Sequence, residues 1–135
     1  MKIQPVTAQY IAQVWPRVEK FIDSALDYSQ GDYSAEHAKV YLTNGKWHLF
    51  VAIRNEKIIG AAIVEFINRP NDRVAFVVAI GGRLISNSQS FFDFGELLKL
   101  YGATKLEGAA RDSVARLWQS KFGFSEKYKI VEVSL

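Results

Sequence analysis

Apolar residues recur along this chain with two different periods, and the switches between them mark out the elements. Ile3 and Val6 lie in a short extended stretch, with Pro5 at a place that an edge strand tolerates. Ile11, Val14, Trp15, Val18, Phe21, Ile22 and Ala25 then fall on one helical stripe. Thr7 is placed to cap that helix, and Pro16 predicts a kink or a restart with the proline in a first turn. A polar loop from Asp27 to Tyr33 follows. Ser34 caps a shorter helix carrying Ala38, Tyr41 and Leu42 on one face, and Asn44-Gly45 ends it.

The period then changes to that of strands. Trp47–Ile53 is rich in aromatic and β-branched residues, and Arg54-Asn55-Glu56-Lys57 reads as a turn into a second strand, Ile58–Ile67. Asn68–Asp72, with Pro70, is another turn. Arg73–Ile80 is nearly all apolar, as expected of a central strand buried on both faces. Short turns between successive strands imply an antiparallel meander. After Gly81-Gly82 a polar loop leads into a helix whose buried stripe is Phe91, Phe94, Leu98 and Tyr101, stopped by Gly102. Lys105–Ala110 is a short strand, and a strand–helix–strand crossover of this length makes it parallel to the central one. Asp112 caps a last helix with Val114, Leu117, Trp118 and Phe122 toward the core. Gly123 supplies the left-handed residue after it, and Phe124 packs back over the final turn. Lys127–Leu135, with Tyr128, Ile130, Val131, Val133 and Leu135, reads as a half-buried terminal strand. The expectation is a single α+β domain over 1–135, with a mixed, mostly antiparallel central sheet flanked by helices.

Composition narrows the chemistry. At 135 residues and 49% hydrophobic residues, a core can form without a metal or disulfide staple. There are no cysteines, which excludes thiolate metal sites and cysteine nucleophiles. The two histidines, His37 and His48, lack the spacing of a metal pair; His37 is expected exposed in a first helical turn and His48 structural within a strand. The net charge of +3 is spread without a run of three basic residues, so a solvated surface is favoured over a nucleic-acid track. No apolar run approaches the roughly 20 residues of a membrane span, and the first ten residues have no apolar core of a signal peptide. The expectation is a protein that stays in the cytoplasm on synthesis, with no membrane and no specific nucleic acid as partner. Ser24, Ser88 and Ser113 have neither a G-x-S-x-G context nor a nearby histidine, which argues against serine hydrolysis. Trp15, Trp47 and Trp118 occupy core-compatible positions and do not form a base-stacking platform.

The element order, with KFGF closing the last helix, resembles the GNAT superfamily of acyl-CoA-dependent N-acyltransferases across essentially the whole chain. The run from Ala115 through Leu117, Trp118 and Lys121 to Gly123-Phe124 is similar to the family's A-x-x-L-Y-x-K-x-G-F segment, and IRNEKIIGAAIVEF is similar to its second and third strands. The resemblance implies that the strand Val77–Ile80 splays from its neighbour and that the gap takes the pantetheine arm of coenzyme A. It also implies a [QR]-x-x-G-x-[GA] loop whose glycines let backbone N–H groups reach a pyrophosphate. The best match in register is Gln89–Phe94, where Phe92 and Phe94 replace both glycines and Asp93 adds like charge. The tyrosine that many family members use to protonate the departing thiolate corresponds to Gln119, which carries no titratable proton near neutrality.

These departures imply a fold retained with its acyl-transfer equipment reduced. A softer likeness, carried by WPRVEKFIDSAL, NGKWHLFVAI, Gly81-Gly82 and EGAARDSVARLW, resembles small GNAT-like proteins of tailed bacteriophages. It implies a virion-associated or assembly protein that acts through its surface, without a cofactor, on other protein subunits. The alternative is an acetyl-CoA-dependent N-acetyltransferase with an atypical cofactor loop, in which Val78, Ile80, Gly81, Gly82 and Arg83 hold the cofactor. Gly81-Gly82-Arg83 would then be an anion-binding nest, although a glycine pair after a strand is more often a plain turn. Glu65 on the third strand is a candidate general base, with a solvent-facing position favoured. Arg111-Asp112-Ser113 lies where open sheets often bind ligands, but Asp112 and Ser113 are also good helix starters.

Overall fold

The computed structural model describes residues 1–27 and 31–135; of the polar loop expected over Asp27–Tyr33, Tyr28 to Gln30 lie outside the described residues. A five-stranded sheet in sequence order runs β1 (Lys2–Val6), β2 (His48–Arg54), β3 (Lys57–Asn68), β4 (Arg73–Gly82), β5 (Lys105–Gly108). Every neighbouring pair is antiparallel except β4 and β5, which run parallel. The α+β class and the mixed sheet are as the sequence pattern predicts.

The helices cover both faces. α1 (Ile11–Leu26) and α2 (Ala35–Thr43) bury Ile11, Trp15, Val18, Ile22, Ala38 and Leu42 against Leu49, Val51, Ala61 and Ile63. On the opposite face α3 (Ser88–Leu100) buries Phe94 and Leu98 against Phe50, Ala62, Val64 and Val77. The alternation along β2 and β3 therefore feeds two cores, one on each side of the sheet. Between β2 and β3, Asn55 and Glu56 both take positive φ (50° and 64°), the left-handed pair that a two-residue hairpin needs to match strand twist.

Two expectations fail for physical reasons, and of the two alternatives at Pro16 the restart does. Pro16 neither restarts α1 nor lies in its first turn; after a 3-10 turn at Ala8–Tyr10 the helix runs on through it, because burial of Trp15 and Val18 on either side offsets one missing hydrogen bond. α4 (Asp112–Phe122) buries no residue, and Leu117, expected in the core, is 46% exposed. Lys127–Leu135 joins no sheet: Ile130, Val131 and Val133 are 81–89% exposed. The last two belong together. Without a strand beyond β5, nothing completes the layer under α4.

Candidate functional site

The site is made by a fork in the sheet. β4 and β5 pair from Val74 with Lys105 to Val77 with Gly108, and there the pairing ends. β4 continues five residues further, to Gly82, still paired with β3 on its other edge. The edge of Val78–Gly82 that would face β5 thus has no strand partner, as expected for a strand splaying after Val77. At the start of the fork β4 carries a bulge. Ile63 pairs with Ala79 and Val64 with Val77, so Val78 has no counterpart on β3. The extra residue shifts the side-chain phase: Ala79 and Val78 pack on the α1 side, while Ile80 joins Val77 on the α3 side.

Two arrangements hold the fork. At its closed end Arg69 donates to Glu107 at 2.7 Å, Lys127 reaches the same carboxylate at 3.0 Å, and Lys105 pairs with Asp72 at 3.2 Å. Thr104 Oγ1 donates to Asp72 at 3.0 Å. Burial pushes the Glu107 carboxyl up, but the hydrogen bonds from Arg69 and Lys127 outweigh it and leave it below its ordinary range. Asp72 is likewise held low, chiefly by the Lys105 and Thr104 hydrogen bonds. At the apex lies Trp118 of α4, whose ring would be 3.2 Å from a Cβ on Gly108. Glycine at position 108 therefore makes room for the indole.

The glycine pair is not a turn after the central strand but its paired end, Gly81 opposite Ala61 and Gly82 opposite Gly60, and it has a packing explanation. A Cβ on Gly81 would stand 2.5 Å from the Phe21 carbonyl oxygen, and one on Gly82, where φ is +69°, would stand 2.4 Å from that of Ile59. The Arg83 N–H is donated to the Ile59 carbonyl at 2.9 Å, so it is not a free nest donor. The Arg83 side chain is exposed and makes no ion pair or hydrogen bond among the described residues. Val78 and Ile80 are half-buried, with their backbone along the fork.

Helix α3 begins at Ser88, so the whole stretch Gln89–Phe94 lies inside the helix rather than in a loop before it. Its cap is polar and small: Asn87 Oδ1 accepts from the Ser90 N–H at 2.8 Å, and the buried Ser90 hydroxyl accepts from the N–H groups of Ser86 and Asn87. Phe94 is fully buried against Phe50, and Phe92, 60% exposed, sits on the second turn. Neither ring is in the first turn. Phe92 and Phe94 thus stand within the helix, more than a turn past the Asn87 cap.

The other candidates are separate from the fork. Glu65 is half-buried opposite Phe76 and is the one carboxylate on β2, β3 or β4. His48 stacks edge-on with Phe66 and Tyr101, and burial followed by the nearby Arg73 charge pushes its imidazole below its ordinary value. His37 closes a capping box with Ser34, accepting the Ser34 N–H on Nδ1 at 3.1 Å. Arg111 occupies the cap position of α4 and Asp112 its first turn, one residue off the expected cap. Gln119 is exposed on α4. Among the described residues no cluster of His, Cys, Asp or Glu is arranged to hold a metal, and no helix is long and apolar enough to cross a membrane. The bulge at Val78 was not foreseen; a strand one residue out of alternation, V-V-A-I, was its only trace.

No protein-family model matches the sequence, and no curated protein matches it either. Solved structures do. A probable acetyltransferase superposes with a TM-score of 0.67 at 15% identity, covering 100% of this chain and 97% of the other. The chain has a GNAT-like fold. Similar too are the aminoglycoside acetyltransferase meta-AAC0020 from an uncultured soil metagenomic sample, solved with sisomicin (TM-score 0.70, 13% identity, 99% and 95% covered), and the ribosomal-protein-alanine N-acetyltransferase of Brucella melitensis biovar Abortus 2308 (0.67, 12%, 99% and 98%). At these identities the likeness is one of GNAT-like architecture, over nearly the full length of each chain.

Proposed function

We propose that the protein is an acetyl-CoA-dependent N-acyltransferase with an atypical cofactor loop. The observation that carries this reading is the fork: β4 keeps an unpartnered backbone edge from Val78 to Gly82 beside a bulge, in a fold whose solved neighbours include acetyltransferases. The residues present fit the cofactor. The Val78–Gly82 edge offers backbone groups to an amide-containing arm, and the first turn of α3, with Ser88 and Gln89, offers N–H groups to an anion. Arg83 adds an exposed guanidinium.

Acetyl-CoA would supply an acyl group already activated as a thioester. The chain's part is to orient it and exclude water, and Trp118 closes the apex of the fork to that end. Glu65 lies apart from the fork, so the proton of an attacking amine passes to solvent rather than to that carboxylate. Gln119 offers no proton to the leaving thiolate, so that proton comes from solvent or from the acceptor.

The comparisons favour this reading over a virion role. The interaction role is favoured by a single observation, the exposed strand-patterned segment 127–135, whose partner is taken up below.

Thermal-shift titration tests the proposal. Ligand binding to the native state alone raises apparent stability, so acetyl-CoA should give a saturable upward shift. Absence of any shift at millimolar acetyl-CoA would overturn it.

A further inference from the structure

Three features at one edge of the molecule are each incomplete. β5 is the last strand of the sheet, four residues long, and nothing pairs with its outer edge among the described residues. Along it runs a groove of about 390 Å³ lined by Phe91, Leu106, Phe122 and Phe124. Helix α4, beside the groove, has no buried residue. The third feature is the segment 127–135, which is patterned as a strand yet exposes Tyr128, Ile130, Val131, Val133 and Leu135.

We infer that residues 127–135 of a second copy of this chain add to β5 as a strand, reciprocally, in a two-fold dimer. A strand of this kind needs an edge for its N–H and C=O groups and apolar cover for its side chains, and β5 with its groove lacks a partner for both. The side chains suit such a place. Tyr128 and Ile130 share one face with Glu132 and Ser134, and Val131, Val133 and Leu135 share the other with Lys129, so one face is mainly apolar and the other is apolar over its first half. The segment does not complete its own sheet. Only its first residue, Lys127, lines the groove of its own chain, pairing with Glu107, and the apolar residues beyond that point are exposed. Exchange seats each projecting arm on the other copy. Five large apolar side chains per arm, at on the order of 100 Å² each, and comparable surface covered beneath them, give a total of roughly 2,000 Å². That lies at the upper end of standard stable interfaces. The closed, self-complementary arrangement covers apolar side chains that a single copy leaves exposed.

Light scattering on the full chain reads the mass directly. Wild type should run at double the 15.3 kDa chain mass and the I130D/V133D variant at the single mass. The variant should keep its circular dichroism spectrum, since neither side chain is buried within one chain. An amine cross-linker applied to mixed light and 15N-labelled chains should join Lys129 of one isotope to Lys105 of the other. A wild-type monomer, a dimer that survives I130D/V133D, or Lys129–Lys105 links confined to one isotope would each overturn the inference, the last by showing that the arm folds onto its own β5.

Discussion

Val77 and Gly108 are the last residues paired between the two parallel strands, and the indole of Trp118 lies over that pair. Beyond them β4 runs on alone toward Gly82. Glycine at 108 lets the indole sit this close; a larger side chain there would have to push the ring aside. Gly108→Val should displace Trp118, shift its fluorescence to the red and destabilise the protein by about 1–3 kcal/mol. Unchanged fluorescence would mean that the ring has room elsewhere.

Arg83 is exposed and has no partner among the described residues, whereas the neighbouring glycines are accounted for by packing on Phe21 and Ile59. If Arg83 meets a phosphate, Arg83→Ala should weaken acetyl-CoA binding about tenfold, the value of one charge-assisted hydrogen bond. Binding of a short thioester without the nucleotide should not change. Calorimetry with both ligands checks this. Equal loss for both would place the arginine's effect on the fold instead.

The glycine pair itself should behave as a structural feature. Gly81→Ala and Gly82→Ala each put a Cβ within 2.5 Å of a backbone oxygen, Phe21 and Ile59 respectively. Each should cost at least about 2 kcal/mol in denaturant unfolding, with or without acetyl-CoA. Gly82 suffers doubly, because its positive φ also disfavours a side chain.

The two phenylalanines of α3 should differ sharply. Phe94 is fully buried against Phe50, so Phe94→Ala should lose about 3–5 kcal/mol. Phe92 is largely exposed, and Phe92→Ala should stay within about 0.5 kcal/mol of wild type. Urea unfolding of both variants decides the matter.

His48 predicts a mild acid sensitivity. Burial among Phe66 and Tyr101, then the Arg73 charge, holds its folded-state pKa below the ordinary value near 6.5. The unfolded chain therefore takes up the proton first as pH falls. The associated stability is fully present above about pH 6.5 and is lost as pH drops toward and through the lowered value. His48→Gln should flatten the Tm profile between pH 7 and 5. Carboxylates such as Asp72 and Glu107, held below their ordinary ranges, act only at lower pH.

Much of the sheet was legible because its strands alternate or run apolar over lengths that only a half- or fully buried strand explains. The hairpin at Asn55-Glu56 and the caps at Ser34 and Gly123 follow from turn and cap chemistry within a few residues. The site was less legible. Matching Gln89–Phe94 to a glycine loop compares residue types one by one, but whether those residues stand in a loop or a helix depends on where Asn87 caps. Lys127–Leu135 was read as a strand from its alternation, which measures strand competence and not the presence of an edge to join.

What the sequence determined by itself is the elements from β1 to β5 and the side that α1 to α3 and the inner strands turn to the core, because periods of 2 and 3.6 are local and the hydrophobic effect acts on them directly. What only the tertiary structure decided is where two strands part company, which glycines are compelled by a neighbour's backbone, and which apolar face is left uncovered. Those are relations between residues dozens of positions apart, and they exist only once the layers have packed.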